Sequence, residues 1–187
     1  VSETWLDHAR RYAEAAIARF GLGPASRVVE VASNDGYLLQ YFKRAGIPVT
    51  GIEPAVNVAK VAEERGIPTL VEFLGERTAR RIAETGLRAD LLVGNNVIAH
   101  VPNLNDFVAG LAILLKPRGV LTLEFPSLMR LILEGQFDTI YHEHFCYFLL
   151  STLAGVLRRH GLEVFDVEEL PTHGGSLRVF AAHGEVA

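Results

Sequence analysis

The sequence predicts an α/β fold: a doubly wound, mostly parallel seven-stranded sheet that ends in an antiparallel hairpin. Three observations carry this. Short apolar runs alternate with amphipathic segments from residue 27 to residue 125. Strands separated by helices must pair in parallel through right-handed crossovers. The last two strand-like runs are separated only by a turn rich in Pro and Gly, which suits antiparallel pairing.

Taken in order, Trp5, Ala9, Tyr12, Ala13, Ala16, Ile17 and Phe20 recur at helical spacing and make 1–22 a leading helix, ended by Gly21, Gly23 and Pro24. "RVVEVA" (27–32) is a buried strand and 37–45 a helix. "VTGIE" (49–53) is a strand and 55–65 a helix. "IPTLVEF" holds a short strand, and 77–85 is helical. "ADLLVGN" (89–95) is a strand, 104–115 a helix and "GVLTLEF" (119–125) the fifth strand. A helix near 150–159 precedes "LEVFDVEEL" and "SLRVFAAH", joined by Pro171, Gly174 and Gly175. Residues 24–126 thus form a cofactor-binding core, and 127–187 a substrate-side segment with the terminal hairpin. Five parallel strands followed by a hairpin is the element order of class I methyltransferases; a plain dinucleotide-binding fold stays parallel.

The 187 residues, 49% hydrophobic and 21% charged, suffice for one domain with a sizeable core. A net charge of −4 favours neither nucleic acid nor an anionic membrane surface. The single cysteine, Cys146, excludes an internal disulfide and points to a reducing, cytoplasmic setting. No apolar run is long enough to span a bilayer, and no signal-peptide pattern is present. The chain starts Val1-Ser2-Glu3, and its only methionine is Met129, so it reads as a processed chain or a piece of a longer protein. Oligomeric state is not legible.

"VVEVASNDGYLL" reads as strand, tight turn, helix. In open parallel sheets ligands bind beyond the carboxyl ends of the strands. Ala32, Ser33 and Gly36 let a ligand approach the backbone, and Asn34 tolerates left-handed angles. Glu53, 18 positions after Asp35, is placed to accept hydrogen bonds from ribose hydroxyls. The turn lacks the GxGxxG that a pyrophosphate wants. S-adenosylmethionine carries no phosphate and needs no such turn. Asn95 and Asn96 reach the same crevice, either as ligand donors and acceptors or as a helix cap before Pro102. Phe73 is either an adenine platform or a core residue. Glu30, Tyr37, Pro54, Val97 and His100 flank these positions and complete the candidate set.

"FDTIYHEHFCYF" (137–148) gathers titratable groups among aromatics. As a metal site it is poor. His142 and His144 lie two apart, not at the H-E-x-x-H spacing, and further ligands would have to come from His100, His173 or Cys146. No metal is expected. Acid–base chemistry fits better: a histidine can take a proton near neutral pH, Glu143 can orient it or bind substrate, and Tyr141 can hydrogen-bond a developing oxyanion. From the residues alone, a half-buried aromatic–histidine cluster that merely holds a loop is an equal reading.

The segments "VVEVASNDGYLL", "GIEPAVNVA", "GNNVIAHVPNLNDFV", "EFPSL", "QFDTIYHEHFCYF" and "ELPTHGGSLRVF" cover nearly the whole chain. In this order the chain resembles the S-adenosylmethionine-dependent C-methyltransferases that act on nucleotide-linked deoxysugars. "YHEHF" and "THGGSLRV" are its specific parts. The resemblance implies S-adenosyl-L-methionine as cofactor and a nucleotide-linked keto-sugar as substrate. A base removes the proton beside the ketone, and the enolate attacks the methyl on sulfur. It implies Tyr141 and His144 as candidate bases and Glu143 as a substrate contact. It also implies a cysteine-rich zinc module before this domain and a second α/β domain after it, neither of which the chain carries. Two other functions compete: an NAD-dependent oxidoreductase, and a non-catalytic scaffold that binds S-adenosylmethionine.

Overall fold

The structure, a computed structural model, describes residues 2–185 apart from the side chain of His173. The first element, α1 (Glu3–Phe20), starts on Ser2, whose hydroxyl accepts the Trp5 N–H, and stops at Gly21 in the left-handed conformation. Four crossover units follow: β1 (Val28–Val31) and α2 (Leu39–Arg44); β2 (Val49–Ile52) and α3 (Val56–Glu64); β3 (Thr69–Leu70) and α4 (Glu76–Glu84); β4 (Ala89–Asn95) and α5 (Leu104–Leu114). Then come β5 (Leu115–Pro126), α6 (Leu128–Glu134), α7 (Leu150–Arg159), β6 (Leu162–Leu170) and β7 (Ser176–His183).

The seven strands lie in the order β3-β2-β1-β4-β5-β7-β6. Neighbours from β3 to β5 pair in parallel, while β7 runs antiparallel to both β5 and β6. Strand order therefore reverses between β1 and β4, and the crevice lies over their carboxyl ends. β1, β2 and much of β4 are buried, as expected of strands covered on both faces.

Two apolar clusters form the layers. One gathers α4, α5 and α7 against the sheet through Ile82, Phe107, Leu111, Leu153 and Leu157. The other gathers α1 and α2 on the opposite face through Ala13, Tyr12, Leu39 and Phe42.

Most differences from the sequence expectation are at element ends. The second helix starts at Leu39, not at Tyr37, because residues 32–38 are spent on the turn beneath the crevice. The short third strand keeps only Thr69 and Leu70. Glu53 falls just past β2, though its N–H still donates to Leu70 O at 2.9 Å. Residues 128–134 form a distinct helix, α6, which has no buried residue and so no apolar periodicity to read. No helix among the described residues is long and apolar enough to cross a membrane.

Candidate active site

The turn after β1 is built from uncommon backbone. Ala32 and Asn34 have φ of 56° and 51°, and Asn96, after β4, has 53°. Left-handed angles in non-glycine residues cost about 1–2 kcal/mol each and cluster where a ligand must approach the main chain. All three lie around one open cleft of about 630 Å³. At Gly36 (φ 75°) an added Cβ would meet Ile67 Cδ1 at 2.3 Å, so this glycine is required by both angle and space.

Glu53 closes the turn. It is 7% exposed. Its Oε2 accepts the Asn34 N–H at 3.1 Å, and its Oε1 accepts the Ala55 N–H at 2.9 Å. The cleft itself is lined by Trp5 from α1, by Ala32, Asn34, Asp35 and Tyr37, by Asn57, Val58 and Val61 on α3, and by Asn95 and Asn96. Trp5, Asp35 and the α3 residues were not among the sequence candidates. Trp5 has the spacing of a helix's apolar face, and the sequence singles out no residue of α3; only the docking of those helices turns them to the cleft.

Several buried oxygens near the cleft have no partner: Glu30 Oε2, Ser33 Oγ, Asp35 Oδ1 and Asn95 Oδ1. Buried polar atoms are normally satisfied, so a cluster of orphans marks a ligand site. Burial, with Asp35 and Glu53 nearby, pushes the Glu30 carboxyl well above the usual range. Burial likewise raises the Tyr37 phenol, against a hydrogen bond from Trp5. No cleft-lining residue is basic. The lining is amide and acidic, with Asp35 paired to Arg65 at 2.7 Å, a set that suits hydroxyl and cationic ligand groups better than a pyrophosphate.

The other candidates fall as follows. Asn95 and Asn96 do not cap a helix; Asn103 caps α5, accepting the Asp106 N–H at 3.3 Å. Phe73 is 80% exposed, which excludes the core reading, and it does not line the cleft. Pro54 and Val97 are half-buried beside it.

His100 packs not on the cleft but on the histidine segment, its ring centroid 4.7 Å from that of His144. Its Nδ1 donates to the Glu143 carbonyl at 3.0 Å. Burial and His144 together depress its pKa.

The segment 137–148 is pinned to the end of β4. Phe145 N–H and Cys146 N–H both donate to Ala99 O, at 2.8 and 3.2 Å. This holds the histidine cluster one short helical turn (Ile98–His100) from Asn95 and Asn96. Within it, His144 Nδ1 lies 2.7 Å from Thr139 O, and a carbonyl can only accept. Nδ1 therefore carries the proton, and Nε2 of the neutral ring is left as the acceptor. The Tyr141 hydroxyl, 3.1 Å away, donates to it. The pair is a tyrosine–histidine dyad with its tautomer set by the backbone. The Glu143 side chain is exposed and, among the described residues, pairs with His142 at 3.9 Å; its carbonyl, not its carboxylate, orients a histidine. Among the described residues no three His, Cys, Asp or Glu side chains are grouped to hold a metal, and the His173 side chain lies outside them.

A larger groove, about 1090 Å³, runs between α6 and the hairpin. Its Arg130 pairs with both Glu134 and Glu169, whereas the unpartnered buried oxygens lie near the smaller cleft.

Residues 5–167 match the family model described as a methyltransferase domain. C-methyltransferase NovU of Streptomyces niveus is 40% identical over 95% of the chain, but the chain spans only 42% of that protein. The ubiquinone biosynthesis O-methyltransferase of Methylobacterium nodulans is 30% identical over 51% of the chain and 39% of its own length. Among solved structures, the PH0226 protein of Pyrococcus horikoshii superposes with a TM-score of 0.77 at 13% identity, covering 97% of this chain and 92% of its own. Magnesium protoporphyrin IX methyltransferase of Synechocystis, with bound S-adenosylhomocysteine, superposes with a TM-score of 0.72 at 15% identity, over 94% of this chain and 82% of its own. Those two likenesses are of fold; the family match is of sequence, and by it the chain belongs to the S-adenosylmethionine-dependent methyltransferase domain family.

Proposed function

We propose that this domain methylates a carbon beside a ketone, and that the ketone belongs to a nucleotide-linked deoxysugar. The observation that carries the carbon assignment is the Tyr141–His144 dyad, on a segment tethered to Ala99 just after β4. A carbon acid must lose a proton before or with methyl transfer, and a positioned base contributes roughly 10²–10⁴-fold. The bound cofactor supplies the electrophilic methyl.

The chain's own residues do the rest. In the tautomer that Thr139 O favours, His144 Nε2 is the accepting nitrogen, reached through the Tyr141 hydroxyl. Either the imidazole takes the substrate proton directly, with Tyr141 swinging to the substrate oxygen, or Tyr141 takes it while passing its own to Nε2. In both routes the electron pair of the broken C–H bond moves toward the carbonyl oxygen, and the resulting enolate carbon forms the bond to the methyl. His144 leads as base, since an imidazole can take up a proton near neutral pH. Glu143, solvent-exposed on the same loop, is left to contact the substrate. NovU's name, C-methyltransferase, supports transfer to carbon, and the resemblance of "YHEHF" and "THGGSLRV" supports the sugar.

The test is transfer from a carbon-13-labelled methyl donor to a nucleotide-linked keto-sugar by the whole protein. A product methyl bonded to carbon is expected in the NMR spectrum; a methyl on oxygen would overturn the proposal. A readout by absorbance of NADH distinguishes the oxidoreductase reading, against which the cleft without basic residues already counts.

A further inference from the structure

Two segments that carried the resemblance, "EFPSL" and "THGGSLRV", have no part in the dyad or the cleft lining. They meet in a buried ionic network. Glu124, near the end of β5, is wholly buried. Its Oε2 takes the Arg178 Nη2–H of β7 at 2.5 Å, and its Oε1 takes the Thr172 hydroxyl of the hairpin turn at 3.2 Å. The third donor is His8 Nε2 on α1, 3.1 Å from both oxygens. Arg178 Nη2 also lies 3.3 Å from His8 Nε2, but both nitrogens carry hydrogen toward the carboxylate, so this is close packing around it and not a bond. Arg178 further covers the Tyr12 ring at 4.3 Å and bonds Glu168 at 3.3 Å. Burial works to raise the Glu124 pKa, but the His8 hydrogen bond and the Arg178 charge outweigh it and hold it below its ordinary value.

His8 has a second neighbour. Its ring stacks on Trp5, centroids 5.1 Å apart at 27°. Trp5 lines the cleft, with Tyr37 at 6.4 Å. The Glu124 main chain meets the cleft as well, since its carbonyl accepts the Asn96 N–H at 2.7 Å. Trp5 sits in the first turn of α1, where helices fray first. The buried residues that dock this helix, Ala9, Tyr12, Ala13 and Ala16, all lie C-terminal to it.

We propose that His8 is a positioning residue for the cofactor site: tied to the buried Glu124–Arg178 pair and stacked on Trp5, it holds the first turn of α1 in place so that Trp5 forms a wall of the cleft. His8 does not touch the reacting atoms and acts through Trp5. The inference rests on the cofactor reading of the cleft.

Trp5 is the only tryptophan in the chain, so its emission reports this wall directly. S-adenosylhomocysteine is titrated against the wild type, His8→Ala, His8→Gln and Glu53→Ala, with melting temperature recorded for each. Gln places its amide nitrogen about where Nε2 of histidine sits and keeps the donor to Glu124. Expected for His8→Ala are red-shifted Trp5 emission and affinity weaker on the order of tenfold, a usual size for coupling between sites. His8→Gln restores both; in His8→Ala the KM for the cofactor rises with kcat at saturation unchanged. If His8→Ala does not fold, His8→Asn, whose amide is too short to reach Glu124, is read in its place. Wild-type affinity and emission in His8→Ala would overturn the inference. Equal weakening in His8→Ala and His8→Gln, with equally lowered melting temperatures, would overturn it as well, since it would show a purely structural role. If Glu53→Ala loses affinity while His8→Ala does not, the inference alone fails; if neither loses affinity, the cofactor reading fails with it.

Discussion

Each oxygen of Glu53 accepts one backbone N–H and retains a lone pair for a ligand hydroxyl. Removing this carboxylate strands donors in a mostly buried place. Glu53→Ala is expected to cost about 1–3 kcal/mol of S-adenosylhomocysteine affinity by titration calorimetry; unchanged affinity would remove Glu53 from the site. Glu30 makes the opposite prediction for stability. Burial beside Asp35 and Glu53 raises its pKa, so the folded state holds a proton that the unfolded state releases above its ordinary value of 4.5. The contribution to stability is complete below 4.5 and is lost as pH rises toward the raised folded value. Glu30→Gln cannot ionise. Its melting temperature should fall less than that of the wild type between pH 5 and pH 9; an equal fall in both would show that Glu30 does not carry this dependence. The tautomer of His144 belongs to this scale too. No sequence pattern announces that Thr139 O fixes it, because the contact is made by a loop whose path depends on Ala99.

At the scale of elements, α4 and α5 meet where Gly110 faces the main chain of Gly75. An added Cβ at 110 would lie 3.0 Å from both Gly75 C and O. Alanine is the better helix former by about 1 kcal/mol, but backbone cannot give way as a side chain can. Gly110→Ala should therefore destabilise the fold by about 1–3 kcal/mol in urea unfolding, without moving cofactor affinity. The helices and strands were legible because each buries a stripe or a face: α7, β6 and β7 fall on the residues their patterns mark. Helix α6 carries no legible stripe, since Ile132 and Leu133 stay exposed and follow no buried face. The candidate site was legible where backbone chemistry leaves a mark, as at Asn34, Gly36 and Glu53. It was not legible where packing alone decides. His100 follows β4 like a cofactor residue but turns its ring to His144, and Trp5 has the spacing of a core residue yet lines the cleft.

At the scale of the whole molecule, strand order reverses at β1 and β4, the two strained turns lie there, and the dyad is tethered to the same end. A ligand that binds only the folded state stabilises it by about 2.7 kcal/mol at a hundredfold excess over Kd. S-adenosylhomocysteine should raise the melting temperature in a concentration-dependent way, and NADH should not. The reverse pattern would favour the oxidoreductase.

Proton removal by the dyad is tested most directly by exchange of the substrate's alpha hydrogen with deuterated solvent, which reports proton abstraction without methyl transfer. The whole protein is incubated with a nucleotide-linked keto-sugar and S-adenosylhomocysteine, and exchange is followed by NMR for the wild type, His144→Asn and Tyr141→Phe. Expected is exchange in the wild type and its loss, by roughly 10²-fold or more, in His144→Asn with cofactor affinity kept. Loss in Tyr141→Phe alone would move the base to the phenol. Exchange at the wild-type rate in both variants would make the cluster structural and contradict the mechanism.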